Sequence, residues 1–510
     1  MNSLADRASL EVEILDCPKP FLRAVLEESN LTPSIRSSIS LFLFGMKADE
    51  VDLDQMYEIE VATAVEFGNA MQIAANSRYN IEYMLNGRWY PIRLGVNFHD
   101  DVEKVTRAVS VVASMNVGDR TLQESHFVNK ETFLDEYGRT QPMTVLRLLE
   151  SKGFRKLETT AAECNLKLVK AQHASSTPGR VVHVSNSVVA SHSHRWWQSI
   201  NVRPLGTTES PVICIVDADL ETTGEGRYAQ HQYRGRDNES TILPFVRVFC
   251  LETKDFVYAD VDDVTEYEFD TEAMSRLHLP EQMHGILQRV FESPLDKVFG
   301  DVLPGKHGGV VVLASGRPGV GKTLTAEIYA ECTARPLYVL ELGELGTSAA
   351  EVEENLQRVF ARVTRWNAVL QFDECEIFLS KRDNDLERSA IVGIFLRLLD
   401  YYRGLLFLTT NRPEVLDEAV LSRIMLRLDY PDLDHGTRGS VWRTMFERAE
   451  LTLSGKEFDE IGQIELNGRQ IRNLTRLALI LNPEKTVTAE GFEELIKFGV
   501  SSVPSQTKGT

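Results

Sequence analysis

The chain has 510 residues, 43% hydrophobic and 25% charged, with 75 acidic against 55 basic side chains and a formal net charge of −20. That length and apolar content leave room for three or four domains with cores of their own and exclude a low-complexity or disordered chain. A chain so acidic repels phosphate on average, which disfavours nucleic acid as a partner outside a local basic groove.

Six scattered cysteines (Cys17, Cys164, Cys214, Cys250, Cys332, Cys375) form no CxxC pair. They suit a reducing compartment better than a disulfide framework or a zinc ribbon. The opening MNSLADRASLEVEIL lacks the long apolar stretch of a secretory signal, and no apolar run nears the roughly 20 residues of a membrane span. A cytoplasmic protein with no membrane partner is expected.

Residues 1–175 alternate helix-like and strand-like stretches and read as a mixed α/β region for partner or substrate recognition. Trp89-Tyr90-Pro91-Ile92-Arg93-Leu94 reads as a strand, and MTVLRLLESKGF (143–154) as a short amphipathic helix ended by Gly153. Ser175-Ser176-Thr177-Pro178-Gly179 reads as a linker. Across 176–272 the period-two runs VVHVSNSVV, VICIVDADL, FVRVFCL and FVYADV indicate a small β-rich module. His192 and His194 there alternate beside Trp196 and Trp197, as ligands on one strand face would. With no third ligand in the pattern, an ordinary β surface is the better reading.

Residues 273–432 alternate buried apolar strands with amphipathic helices, the pattern of a parallel α/β sheet. One of these helices opens at Glu351-Val352-Glu353-Glu354 with the stripe Val352, Leu356, Val359 and Val363. Residues 433–500 are helical, with Ile471, Leu474, Ala478 and Leu481 on one face. The tail 501–510 reads as disordered. The expected fold is therefore multidomain: a mixed α/β N-terminal region, a small β-rich middle module, and a C-terminal module of a parallel α/β domain followed by a helical one.

The strongest motif is Gly316-Arg317-Pro318-Gly319-Val320-Gly321-Lys322-Thr323, which fits GxxxxGK[ST] in full. VVVLAS (310–315) precedes it as a buried strand and TLTAEIYAECT follows as a helix. Glycines let backbone N–H groups turn inward around phosphate oxygens. The helix N-terminus beginning near Leu324 adds partial positive charge. Lys322 suits the β- and γ-phosphates of ATP, and the Thr323 hydroxyl suits Mg²⁺.

About fifty residues on, Ala368-Val369-Leu370-Gln371-Phe372-Asp373-Glu374 is an apolar strand ending in two carboxylates. Asp373 is the candidate Mg²⁺ ligand, and Glu374 the candidate general base that polarises water. Glu376 competes for the base role, and the Gln371 amide needs a partner inside a buried strand. Next, Gly404-Leu405-Leu406-Phe407-Leu408-Thr409-Thr410-Asn411-Arg412-Pro413 is a further buried strand. It brings Asn411 to the sheet edge where open α/β sheets bind ligands. LDEAVLSRI then places Arg423 after a short helix.

With GRPGVGKT, FDE and TTNRPEVLDEAVLSRI in hand, residues about 273–500 resemble the AAA family of AAA+ P-loop ATPases. They are especially similar to soluble members with TRWNAVL before the acidic strand. The resemblance covers roughly the last 45% of the chain. It implies an ATPase using ATP and Mg²⁺, assembled as a ring, commonly a hexamer. By that resemblance Asn411 matches the sensor residue, and Arg423 matches the arginine finger that completes a neighbouring subunit's site. Arg388, in DLERSAIV, matches a second inter-subunit arginine, and Arg469 and Arg472 compete for a lid arginine that touches nucleotide. Protein-threading relatives carry an aromatic pore loop, whereas Glu341-Leu342-Gly343-Glu344-Leu345-Gly346-Thr347-Ser348-Ala349 has no aromatic to grip a polypeptide. The favoured function is ATP-driven remodelling or gating of a macromolecular partner held by residues 1–270. The alternative is a nucleotide-dependent assembly switch for an effector, as in bacterial defence. A DNA-handling motor is disfavoured by the charge.

Overall fold

A computed structural model describes residues 19–26, 39, 56–76, 81–85, 87–101, 106–117, 120–158, 161–194, 197–217, 244–279, 281–292, 309–380, 386–453, 458–482, 484–487, 491–492 and 495–496. The tail 501–510 and Trp196 lie outside them, as do the side chains of His192, His194, Trp197 and Arg388. Contacts divide the chain into two units, one made mainly of residues 1–265 and the other mainly of 266–510.

The first unit is built on a ten-stranded sheet. Long hairpins at 93–101, 106–117 and 120–128 pair antiparallel. Strand 120–128 then meets strand 197–204 in parallel through Ser199 and Gln123. The sheet thus takes strands from both sides of residue 176. The period-two runs appear as strands 181–184, 212–216, 245–250 and 255–260. Their inward residues Val182, Val216, Val248 and Val257 are fully buried. Cys214 and Cys250, distant in sequence, face each other across two of these strands. The short helix Val145–Ser151 is capped by Thr144 and followed by Gly153 at φ 83°, where a residue with a side chain is disfavoured.

The second unit holds a five-stranded, all-parallel sheet. Its strands are β1 (Val310–Gly316), β2 (Leu337–Leu340), β3 (Val369–Phe372), β4 (Leu405–Thr410) and β5 (Leu426–Tyr430). The spatial order is β2-β3-β4-β1-β5. Every residue of β3 and β4 is buried, as expected for strands covered on both faces. Helix Ala349–Arg365 closes its N-terminus with a capping box between Ser348 and Glu351. Its stripe Val352, Leu356, Val359 and Val363 is buried, each side chain contributing roughly 1.5–3 kcal/mol. The C-terminal helices His435–Arg448 and Gly468–Leu481 pack around Trp442, Phe446, Ile471 and Leu474 as a separate core cluster. Leu481, read as part of that stripe, is 61% exposed instead. It sits at the last residue of its helix, beyond the packed turns.

Candidate nucleotide site

The parallel register decides which residues meet. β1 runs beside β4 with Ser315 opposite Thr410, and β3 runs beside β4 with Phe372 opposite Leu408. One step further along these strands, Gly316, Asp373, Thr409 and Asn411 arrive together at the C-terminal edge of the sheet.

The loop after β1 needs its glycines. Gly316, Gly319 and Gly321 have φ of 148°, 82° and 108°, values that side chains disfavour. A Cβ on Gly316 would lie 2.5 Å from the Tyr430 carbonyl oxygen, and one on Gly319 would lie 2.8 Å from Asn467. Pro318 is exposed and Val320 buried, so the loop is pinned from its inner side. The helix Lys322–Cys332 starts at Gly321 with no side chain capping it, which leaves its first N–H groups available to an anion. Leu324, in its first turn, is 39% exposed.

Lys322 is only 7% exposed. Its ammonium donates to the carbonyls of Gly316 (2.6 Å) and Arg317 (2.8 Å) and to Asn411 Oδ1 (2.8 Å). Burial holds it below the ordinary lysine range and the Arg469 charge acts the same way, while Glu376, Asp373 and Glu374 oppose them. Arg469, on the first turn of helix Gly468–Leu481, therefore lies within electrostatic reach of the P-loop lysine. Arg472 acts on Glu327 instead. Part of the Glu327 side chain reaches solvent, yet desolvation of its carboxyl raises its pKa; Asp373 adds to the rise and Arg472 opposes it. The lid touches the loop directly, since Gly468 N–H donates to Gly319 O at 2.8 Å.

Asp373 is held by three donors on one oxygen. Thr409 Oγ1 and Gln371 Nε2 each donate to Oδ1 at 2.9 Å, and Thr323 Oγ1 at 3.4 Å. Gln371, fully buried in β3, is thus a supporting member of the site. Its sequence signal was an amide inside an apolar strand. Thr409 has no comparable signal, because its role depends on the pairing of β3 with β4. Glu374 is exposed, with φ 52° and its N–H donated to Thr409 Oγ1 at 3.2 Å. Glu376 Oε1 accepts the Asn411 N–H at 3.3 Å, and its shielded Oε2 has no hydrogen-bond partner among the described residues.

A hydroxyl and a carboxylate 3.4 Å apart at the foot of a glycine cradle fit a hard cation that takes few protein ligands and keeps its waters and substrate phosphates. Among the described residues there is no cluster of three or more His, Cys, Asp or Glu that could hold a metal without substrate.

Arg423 has partners of its own outside this group. Arg423 is bound within its own chain, with Nε to Asp400 Oδ1 at 2.7 Å and Nη2 to Asp400 Oδ2 at 3.1 Å. Arg388 lies in the first turn of helix Leu386–Leu399. The segment 341–349 forms a capped single turn, Leu342–Leu345, with Glu344 bonded by Tyr338 and Leu345 buried.

Comparison with known proteins agrees with this geometry. The family model for the ATPase family associated with various cellular activities (AAA) matches residues 312–431. That span runs from within β1, through the loop, the carboxylates after β3 and the Asn411 end of β4, to just past β5. Residues 312–431 thus carry an AAA domain. An uncharacterised AAA family ATPase of Sinorhizobium fredii is 34% identical over 129 residues, covering 24% of this chain and 39% of that protein. A mitochondrial sorting homolog of Caenorhabditis elegans is 26% identical over 191 residues, covering 35% of this chain and 56% of its own length. Human fidgetin-like protein 1 is 29% identical over 162 residues, covering 30% of this chain and 24% of its own. The chain thus spans less than two thirds of each of these relatives. Among the described residues no helix is long and apolar enough to cross a membrane.

Proposed function

We propose that the AAA module binds ATP with Mg²⁺ and hydrolyses it to ADP and phosphate, at interfaces between copies in a ring. In this reading hydrolysis drives remodelling or gating of a macromolecular partner bound through residues 1–270. The observation that carries it is the meeting of Lys322, Thr323, Asp373 and Asn411 around a glycine loop with uncapped helix amides. Lys322 exchanges its carbonyl partners for the β- and γ-phosphate oxygens. Glu374, exposed beside that loop, takes up the proton of a water as its oxygen bonds the γ-phosphorus and the bond to the bridging oxygen breaks. Asn411 orients that water, and Arg469 places a second positive charge by the phosphates. A magnesium ion held by Thr323 and Asp373 would neutralise charge on the phosphate oxygens.

One observation favours a second reading, a nucleotide-dependent assembly switch with slow turnover. The segment where threading relatives carry their gripping loop is here a short capped turn without an aromatic. The deciding experiment measures ATP binding, turnover and particle mass for the wild type and Lys322→Ala. Loss of binding and turnover in the variant supports an ATPase, and unchanged binding and turnover would overturn it. Nucleotide-induced assembly with negligible wild-type turnover selects the switch.

A further inference from the structure

We propose that Asp400 is the positioning residue for Arg423, fixing the guanidinium so that its remaining donors face the nucleotide of a second copy of this chain. This rests on reading Arg423 as the arginine that acts in trans. A guanidinium carries five N–H donors in a rigid plane. Asp400 takes Nε and one Nη2 donor side-on, at 2.7 and 3.1 Å, and the Ala419 carbonyl takes one Nη1 donor at 3.1 Å. Among the described residues two donors stay without a partner, one on each terminal nitrogen, and two parallel N–H groups are what a phosphate oxygen pair accepts.

Both partners are themselves anchored. Asp400 directly follows helix Leu386–Leu399. That helix is tied to helix Ala349–Arg365 by Arg397 and Glu353 at 2.6 Å. Arg423 follows the turn Glu418–Leu421, which Asp417 caps by accepting from Ala419 N–H at 2.8 Å. Asp417 in turn donates its N–H to Leu379 O at 2.9 Å. The carboxylate and the guanidinium, 23 residues apart in sequence, therefore meet as two fixed points and not as two flexible surface chains.

The surroundings identify the occupant. The pair is about a third exposed on each side, 33% for Arg423 and 36% for Asp400. Its sequence neighbours Tyr401 and Met425 are 60% and 56% exposed. Large apolar side chains bared beside an arginine a third exposed mark a contact surface. A free arginine would lose more side-chain entropy on docking than one already held. Asp400 removes part of that loss and also offsets part of the charge that must leave water. A sequestering latch would occupy the outer donors, and those are the two left open.

The experiment compares ATP turnover and assembly of the full chain for wild type, Arg423→Ala, Asp400→Ala, Asp400→Asn, Asp400→Glu and the double variant Asp400→Ala/Arg423→Ala. Arg423→Ala is expected to lower kcat by about 10³-fold. Asp400→Ala is expected to lower kcat by about tenfold with nucleotide affinity unchanged, Asp400→Glu to recover most of it, and the double variant to match Arg423→Ala alone. Should Asp400→Ala assemble poorly, Asp400→Asn, which keeps shape and one acceptor, carries the same expectation at a smaller loss. Wild-type kcat in both Asp400→Ala and Asp400→Asn, a rise in kcat, or losses that multiply in the double variant would overturn the proposal while leaving Arg423 in place. Wild-type kcat in Arg423→Ala would instead overturn the trans reading itself.

Discussion

Both units bury charge, but they close it differently. In the first unit three arginines close on acidic, carbonyl and aromatic partners. Glu82, fully buried, accepts from Arg155 Nε at 2.7 Å, and that guanidinium lies 4.4 Å over the Trp89 ring. Arg88 grips Asp263 with two bonds, at 3.0 and 2.7 Å, and reaches Asp260 at 3.3 Å, while the Tyr90 hydroxyl also donates to Asp260. Arg247 gives Nη1 to the Asp217 carbonyl and lies 3.7 Å over Phe256. In the second unit Lys322 turns to three neutral oxygens, Asp373 loads one oxygen with three donors, and Glu376 keeps a shielded oxygen without a partner among the described residues. Closed networks hold a fold; replaceable partners await a ligand. Burial alone does not separate a site from a strut, but the readiness of its bonds to be exchanged does.

Substitutions on the two sides should therefore fail in different currencies. Glu374→Gln is expected to lower ATP turnover by about 10²–10⁴-fold, the scale of a lost general base. Nucleotide affinity and melting temperature should change little, because that side chain is exposed and its backbone N–H bond to Thr409 is retained. Equal losses for Glu374→Gln and Glu376→Gln in a side-by-side turnover assay would remove the distinction between the two acids. On the other side, Arg155→Ala removes the cationic partner that lies 2.7 Å from the buried Glu82 carboxylate. Breaking such a pair costs about 3–5 kcal/mol. Calorimetry should show the unfolding of the first unit moved down by roughly 10 °C, with ATP affinity of the second unit unchanged. A turnover defect in Arg155→Ala with no thermal shift would erase the contrast.

How much of this was legible depends on how local the cause is. The phosphate loop was readable because its conformation needs glycines at Gly316, Gly319 and Gly321 whatever packs around them, and its strand and helix adjoin it. The buried strands 369–372 and 405–410 were readable because covered parallel strands are apolar throughout. What the residues did not disclose is pairing over distance. Thr409 reaches Asp373 only through the register of β3 against β4. Ser199 meets Gln123 across the sheet of the first unit. Arg423 finds Asp400 only because a helix end and a turn converge. Periodicity tells which face of an element is covered, and is silent on what covers it.

The smallest expected effect tests whether the lid belongs with the replaceable bonds or with the closed ones. Asn467 accepts the Gln470 N–H at 2.9 Å and gives its own N–H to Gln470 Oε1 at 2.9 Å, a reciprocal cap at the start of helix Gly468–Leu481. The next N–H, of Gly468, bonds the Gly319 carbonyl of the phosphate loop. Asn467→Ala should cost about 1 kcal/mol of helix stability, seen as faster amide exchange over residues 468–471. If that first turn holds the loop in its binding shape, ATP affinity should fall a few-fold with it, and Asn467→Ser, which restores a cap, should recover both. Faster exchange with unchanged affinity would mean that the Gly468–Gly319 bond is a passive contact. Affinity that falls in Asn467→Ala and stays low in Asn467→Ser would instead point to the Asn467 amide packed against Gly319, because the cap alone is then not what the loop requires.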